Sequence, residues 1–285
     1  MIIERIDLYE YFHLERKEGY GGYLNVAVHT ELTEILPVKP KRPAMLVVPG
    51  GGYTFVSQRE DEPIVLKFLS DGYNCFSLDY TINVAGYPVQ LSEIAMAVAY
   101  IRENAEKYSI FPDKICAVGF SAGGHLVGSL ATRYNDERVL KLIGKTAEQV
   151  RPDAVIPCYA VVSFEKEDAH GTTRDVVSGK DEKLINYLDV VKNVRADCPP
   201  AFIWATREDD LVSAANSLKL SLAYHNAGVA YELHLFERGW HGLSTGDEQC
   251  NYDKDGNGLS FECAQWIALA KKWLKNKGFE VKYYR

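Results

Sequence analysis

Gly119-Phe120-Ser121-Ala122-Gly123 is the stretch whose reading decides the fold. It has the form G-x-S-x-G and lies between two segments of different character. Before it runs Lys114-Ile115-Cys116-Ala117-Val118, a short apolar run that reads as a buried strand. After it runs Ala122-Gly123-Gly124-His125-Leu126-Val127-Gly128-Ser129-Leu130-Ala131, small and apolar, which reads as a helix. Strand, sharp turn and helix are the setting of a nucleophile elbow, in which the turn strains the serine backbone and lifts its hydroxyl clear of the sheet. Flanking glycines are needed because a Cβ there would collide with the neighbouring strand and helix.

Working outward, strand-like and helical segments alternate. Tyr23 to His29 is an opening strand, followed by a Pro- and Lys-rich turn from Pro37 to Pro43. Ala44-Met45-Leu46-Val47-Val48 is a compact apolar strand that ends in Pro49-Gly50-Gly51-Gly52-Tyr53. Residues 60–70 read as helix and Tyr73 to Tyr80 as strand. Leu91 to Lys107 has helical spacing, with Ile94, Val98 and Ile101 aligned. Beyond the elbow, Asp153 to Val162, Ala201 to Ala205 and Tyr231 to Phe236 are strands. Ser213 to Asn226 is a helix with Ser213 as N-cap, and Phe261 to Asn276 is a closing amphipathic helix. The alternation predicts one α/β domain over residues 1–285 with a mainly parallel sheet covered by helices on both faces. The polar segment 163–198 is too long for a simple connection and predicts a small helical insertion that forms a partial cap over a substrate pocket.

The totals agree with such a domain. The chain has 285 residues, of which 47% are hydrophobic and 25% charged. A net charge of −7 offers no basic footprint for nucleic acid. No basic block addresses an anionic membrane surface, and no apolar run approaches the ~18 residues of a membrane-spanning helix. Charges interrupt the opening Met1-Ile2-Ile3-Glu4-Arg5 at once, unlike a secretory signal. The six cysteines include no C-x-x-C pair, and Cys75, Cys116 and Cys158 fall in strand-like runs. The expectation is a cytoplasmic protein, although an even cysteine count leaves disulfides open.

A serine hydroxyl is a weak nucleophile and needs a base, which in turn needs an orienting acid. Both are available after later strands. Thr206-Arg207-Glu208-Asp209-Asp210 follows one, and Gly239-Trp240-His241-Gly242 follows another. His241 is the expected base. His125, one helical turn beyond Ser121, is expected to pack beneath the elbow, and His29, His225 and His234 read as structural. The residues leave the acid open among Glu208, Asp209 and Asp210. Consecutive glycines can turn their amides towards a developing oxyanion, so Gly51 and Gly52, joined by Ala122, are the expected oxyanion donors.

With these pieces in place the chain resembles α/β-hydrolase esterases near the acetyl-xylan esterase and hormone-sensitive-lipase branches, above all small bacterial carbohydrate esterases. The likeness spans roughly residues 44–275. It rests on Pro49-Gly50-Gly51-Gly52-Tyr53, Arg59-Glu60, the run Gly119 to Leu126, Pro199-Pro200 and Gly239-Trp240-His241-Gly242. In such families the acid lies four positions before a Val-Pro site that opens the next helix. Val212-Ser213 takes that place, which selects Asp209, with Ser213 standing where proline is usual. Pro49 replaces the histidine of the HGGG motif. The resemblance implies a serine esterase with Ser121, His241 and Asp209 as triad, which needs no cofactor. Its substrate would be a small-molecule ester of short acyl length, such as an acetylated sugar or xylo-oligosaccharide. Tyr53, His170 and Trp240 are expected to line the pocket. Rival readings are an aryl formamidase, a prolyl-oligopeptidase-type peptidase, for whose propeller the chain has no room, and a non-catalytic receptor or scaffold.

One further motif stands apart. Asn251 to Glu262 fits a calcium loop with Asn251, Asp253, Asp255 and Glu262 as oxygen ligands and Gly256 at the turn. Gly258 stands where that loop usually has an apolar residue. A polar turn before the last helix is the competing reading, and a calcium ion there would be structural.

Overall fold

The computed structural model describes residues 1–30, 34, 39–84, 86–165 and 167–284. Its strands are β1 (Ile2–Asp7), β2 (Tyr23–Val28), β3 (Lys39–Val48), β4 (Asn74–Asp79), β5 (Ile110–Phe120), β6 (Ala154–Cys158), β7 (Ala201–Thr206), β8 (Tyr231–Phe236) and β9 (Lys282–Tyr284). The helices are α1 (Leu8–Tyr11), α2 (Glu62–Leu69), α3 (Val89–Glu103), α4 (Ala122–Arg133), α5 (Glu137–Ile143), α6 (Ala147–Val150), α7 (Gly171–Ser178), α8 (Glu182–Leu188), α9 (Ala215–Asn226) and α10 (Trp266–Asn276). Strand order is β1-β2-β4-β3-β5-β6-β7-β8, with β9 paired to the start of β3. From β4 to β8 all pairings are parallel, while β1 and β2 add an antiparallel edge. This is an α/β-hydrolase sheet.

The central strands read as unbroken apolar runs because both their faces are covered. On β3, Ala44, Leu46 and Val48 join a core beneath α3, α4 and α9. Met45 and Val47 point the other way, into a core closed by Ile64 and Phe68 of α2 and by Trp266, Ala270 and Trp273 of α10. The two-residue period of the strand thus divides one sequence between two cores. All six cysteines are buried and free. Among the described residues no helix is long and apolar enough to cross a membrane.

Three local expectations are corrected. From Lys39 onward the Pro- and Lys-rich segment is strand, not turn, while residues 37 and 38 lie outside the described residues. Pro40 is tolerated because this end of β3 pairs at the rim of the sheet, opposite β9. Ser213 is not the N-cap of α9: Ala214 holds that place, and Ser213 Oγ accepts from Ala215 N at 3.2 Å. The final helix is preceded by a 3-10 turn over Glu262–Gln265. Segment 163–198 is helical as expected, carrying α7 and α8.

Candidate active site

The parallel strands β3, β5, β6, β7 and β8 lie side by side and end on one edge of the sheet. The loops leaving them carry Pro49 to Gly52, Ser121, Tyr159, Asp209 and His241 in turn. Residues far apart in sequence therefore meet at the carboxyl ends of the strands, where open α/β sheets place their ligands.

Ser121 sits between β5 and α4 at φ 52° and ψ −116°, a conformation disfavoured for a residue with a side chain. The elbow is held by close packing. A Cβ on Gly123 would stand 2.1 Å from the Val48 carbonyl oxygen, and one on Gly119 would stand 2.4 Å from that of Gly123. Ser121 N–H donates to the Cys158 carbonyl at 3.0 Å, tying the turn to β6.

Ser121 Oγ lies 2.8 Å from His241 Nε2, and His241 Nδ1 lies 2.8 Å from Asp209 Oδ2. A carboxylate only accepts, so the proton sits on Nδ1 and the Nε2 lone pair faces the serine. The Asp209 side chain is 1% exposed, and its Oδ1 accepts from the Leu211 and Val212 amides at 3.0 and 2.8 Å. These bonds compensate the burial of the carboxylate and fix it in place. The neighbouring acids behave differently. Asp210 receives only a long 3.4 Å bond from His241 N, and Glu208 forms an exposed ion pair with Arg207. The arrangement can draw a proton from Ser121, hold it on an imidazolium faced by Asp209, and return it to a leaving group.

The glycine loop packs against this serine. A Cβ on Gly50 would be 3.0 Å from Ser121 Cβ. Gly51 and Gly52 line the same pocket as Ser121 and His241, a space of about 320 Å³. Among the described residues no acceptor receives the N–H of Gly51 or Gly52, which leaves both to a ligand. Ala122 is the first residue of α4, where the backbone N–H has no partner within the helix.

A buried carboxylate braces the loop. Glu60 Oε2 accepts from Gly50 N at 2.8 Å, and its Oε1 accepts from Tyr159 Oη at 2.7 Å. Tyr159 Oη in turn accepts from Ser244 N at 2.9 Å, and its ring meets the His241 ring edge-on at 5.2 Å. Burial, and then the Glu60 carboxylate, push the Tyr159 phenol well above its usual pKa, so it stays a donor. Sequence reasoning assigned no role to Glu60 or Tyr159. Glu60 falls within the charged run Arg59-Glu60-Asp61-Glu62, and nothing in that run marks one acid as buried.

Of the three residues expected to line the pocket, only His170 does so. As N-cap of α7 its Nδ1 accepts from Thr173 N at 3.4 Å, and burial, then the charge of His241, lower its pKa. Tyr53 is fully buried behind the glycine loop, because φ +61° at this position turns the side chain inward to His125. Trp240 is 40% exposed and packs on Phe261 at 4.6 Å. It faces a separate cleft of about 730 Å³ walled by Glu208, Asp210, Glu237, Phe261 and Glu262, which Ser121 does not line. Adjacent loop residues diverge, so His241 reaches the serine and Trp240 points away.

The proposed calcium ligands are not brought together. Asn251 turns inward and donates to the Leu243 and Asp247 carbonyls at 3.0 and 2.9 Å. Asp253 accepts from the Asp255 and Asn257 amides, closing a small hairpin turn. Glu262 belongs to the Trp240 cleft. Among the described residues no three His, Cys, Asp or Glu side chains are placed to share a metal ion.

His125 is a structural histidine with a pH consequence. Its Nε2–H donates to the Leu188 carbonyl at 3.0 Å, so Nδ1 accepts from Tyr53 Oη at 2.8 Å. One ring thereby joins the elbow helix, the glycine loop and α8. Complete burial pushes its pKa down from 6.5 to about 4. Between those values the unfolded chain takes up a proton that the native ring refuses, so stability is lost as pH falls through that window, by about 3 kcal/mol in all. Glu93 opposes this: burial raises its pKa from 4.5 to about 7, and its proton favours the fold as pH falls. The two are separated by comparing variants. In urea unfolding from pH 7 to pH 4.5, His125→Gln is expected to lose less stability on acidification than the unsubstituted chain. Equal losses would show that His125 does not govern the acid limb.

Comparison with known proteins places the chain in a family. The BD-FAE family model matches residues 36–224. Endo-1,4-beta-xylanase B of Butyrivibrio fibrisolvens is 34% identical over 78% of this chain and 36% of its own length. The acetylxylan esterase of Xylanibacter ruminicola is 28% identical over 74% of this chain and 43% of its own. The chain thus spans less than half the length of these two curated relatives. The crystal structure of an acetyl ester-xyloside bifunctional hydrolase from Caldicellulosiruptor lactoaceticus superposes with a TM-score of 0.76 at 30% identity, covering 90% of this chain and 89% of that one. A family model over most of the chain, together with a solved relative matched nearly end to end, places it plainly: the chain belongs to the BD-FAE family and has the α/β-hydrolase fold.

Proposed function

We propose that this chain is a serine carboxylesterase that removes short acyl groups, acetyl foremost, from sugars or xylo-oligosaccharides. The observation that carries the reading is the continuous hydrogen-bonded line from Ser121 through His241 to the buried Asp209. Ser121 Oγ attacks the ester carbonyl as His241 Nε2 takes its proton. The negative charge on the carbonyl oxygen falls to the amides of Gly51, Gly52 and Ala122. Collapse of the tetrahedral intermediate expels the alcohol, which receives the proton from His241, and leaves an acyl-serine. Water activated by the same imidazole then releases the acid and restores the serine. No step calls on a metal or cofactor.

The pocket of about 320 Å³ lies at the small end for ligand sites, which favours a short acyl group. The names of the acetylxylan esterase and of the acetyl ester-xyloside hydrolase among its relatives support acetyl and xylose-based substrates. The test is hydrolysis of p-nitrophenyl acetate, butyrate and octanoate together with fluorophosphonate labelling. Acetate should turn over fastest, and the label should be found on Ser121. Failure to hydrolyse any chain length, or labelling elsewhere, would overturn the reading. Acetylated xylo-oligosaccharides are the next substrates to assay.

A further inference from the structure

The pocket holds one cation that the mechanism above does not use. Arg59 lines it together with Ser121 and His241. Its guanidinium lies over Gly242, where a Cβ would fall 2.7 Å from Nη2. The residue is pinned by its backbone: its carbonyl accepts from Ser244 Oγ and, at 3.6 Å, from Cys250 Sγ. The next residue, Glu60, directs both carboxylate oxygens elsewhere, to Gly50 N and Tyr159 Oη. Among the described residues no carboxylate lies within ion-pair distance of the Arg59 guanidinium, and no acceptor bonds it. Among the described residues other arginines are ion-paired, Arg102 with Asp153 and Arg5 with Asp79 for example. A planar fork of donors left open beside a nucleophile matches a carboxylate in shape and charge.

Its position within the pocket decides which half of the ester it meets. His241 must reach both Ser121 and the leaving oxygen, so the alcohol half lies on the His241 side. Gly242 follows His241, and the guanidinium covers Gly242. We propose that Arg59 is a specificity-determining residue that binds a carboxylate on the alcohol half of the substrate, so that the preferred substrates are short-acyl esters of hydroxy acids, sugar acids included. This rests on the esterase reading and, of the sugars and oligosaccharides named there, favours those that carry a carboxylate.

The test compares two esters of one shape, 4-acetoxybenzoate and its uncharged counterpart 4-acetoxybenzamide. The ratio of their kcat/KM values is measured for the unsubstituted chain, Arg59→Gln and Arg59→Lys. The expected ratio favours the carboxylate by about tenfold or more, the range of a charge-assisted bidentate contact. It should approach one in Arg59→Gln, take an intermediate value in Arg59→Lys, and shrink in high salt. A parallel readout is inhibition of p-nitrophenyl acetate hydrolysis, in which glucuronate should compete better than glucuronamide. A ratio near one in the unsubstituted chain, or one that Arg59→Gln leaves unchanged, overturns the proposal while the esterase reading stands. Failure of all three esters to turn over overturns both.

Discussion

Replacing Ser121 with alanine is expected to lower kcat on p-nitrophenyl acetate by up to about 10⁶-fold, with the fold intact. Among the described residues Ser121 Oγ makes one hydrogen bond, to His241, and its backbone conformation is open to alanine at no greater strain. His241→Ala should cost about as much, and the double variant little more, because the pair acts as one unit and either loss removes the activated nucleophile. Asp209 calls for a different substitution. Its Oδ1 holds the Leu211 and Val212 amides, so alanine would leave two buried donors unpaired and loosen the loop. Asp209→Asn keeps that cap but can offer an N–H to the imidazole, which favours the wrong tautomer and turns a protonated nitrogen towards Ser121. A fall of about 10⁴ in kcat is expected, at nearly unchanged melting temperature. The measurements are steady-state kinetics on each variant with thermal unfolding as control. Retention of more than a tenth of the activity by Ser121→Ala would remove Ser121 from the chemistry.

How much of this was legible in the sequence depended on the distance over which each residue is determined. The central strands were plain because sheet faces covered on both sides demand unbroken apolar runs, and the fully buried Ala201–Thr206 was read to within one residue. The elbow was plain because its strain and its glycines lie within five residues. Strand β1 was missed. Ile2 to Asp7 mixes isoleucine and charge without a two-residue period, none of it is buried at the sheet edge, and its place follows from pairing with β2 rather than from its own pattern. Choosing Asp209 between two neighbouring acids depends on one residue of loop phase, as does the divergence of Trp240 from His241. Local sequence carries no period through such a loop. Glu60 and Tyr159, 99 positions apart, acquire a joint role only when β6 ends beside the glycine loop. The site was therefore visible where motif chemistry is local, and hidden where a side chain's partner comes from another strand.

The oxyanion assignment leads to a sharp contrast between two adjacent glycines. Gly51 has φ +123°, and a Cβ there would sit 2.0 Å from the Phe55 carbonyl oxygen and 2.8 Å from its carbon. Those are backbone atoms, held by a turn in which the Gly51 carbonyl accepts from Thr54 N at 2.9 Å and Phe55 N at 3.2 Å. The clash cannot be relieved by a rotamer change, so Gly51→Ala must open the turn and carry the Gly51 and Gly52 amides off their line to the carbonyl oxygen. Losing one such donor typically lowers kcat by about 10²–10³. Gly52 has φ +62° but meets nothing nearer than His170 Cε1 at 3.7 Å. Alanine fits there at about 1–2 kcal/mol of local strain with the amide still in place. Gly51→Ala is thus expected to lose about 10²–10³ in kcat with little change in KM, since the oxyanion exists only in the transition state. Gly52→Ala should stay within about tenfold of the unsubstituted chain. Kinetics on p-nitrophenyl acetate, with melting temperatures to follow the turn, distinguish the cases. If Gly51→Ala melts earlier yet keeps its kcat, the turn has opened without consequence for the chemistry, and the oxyanion must be held by other donors.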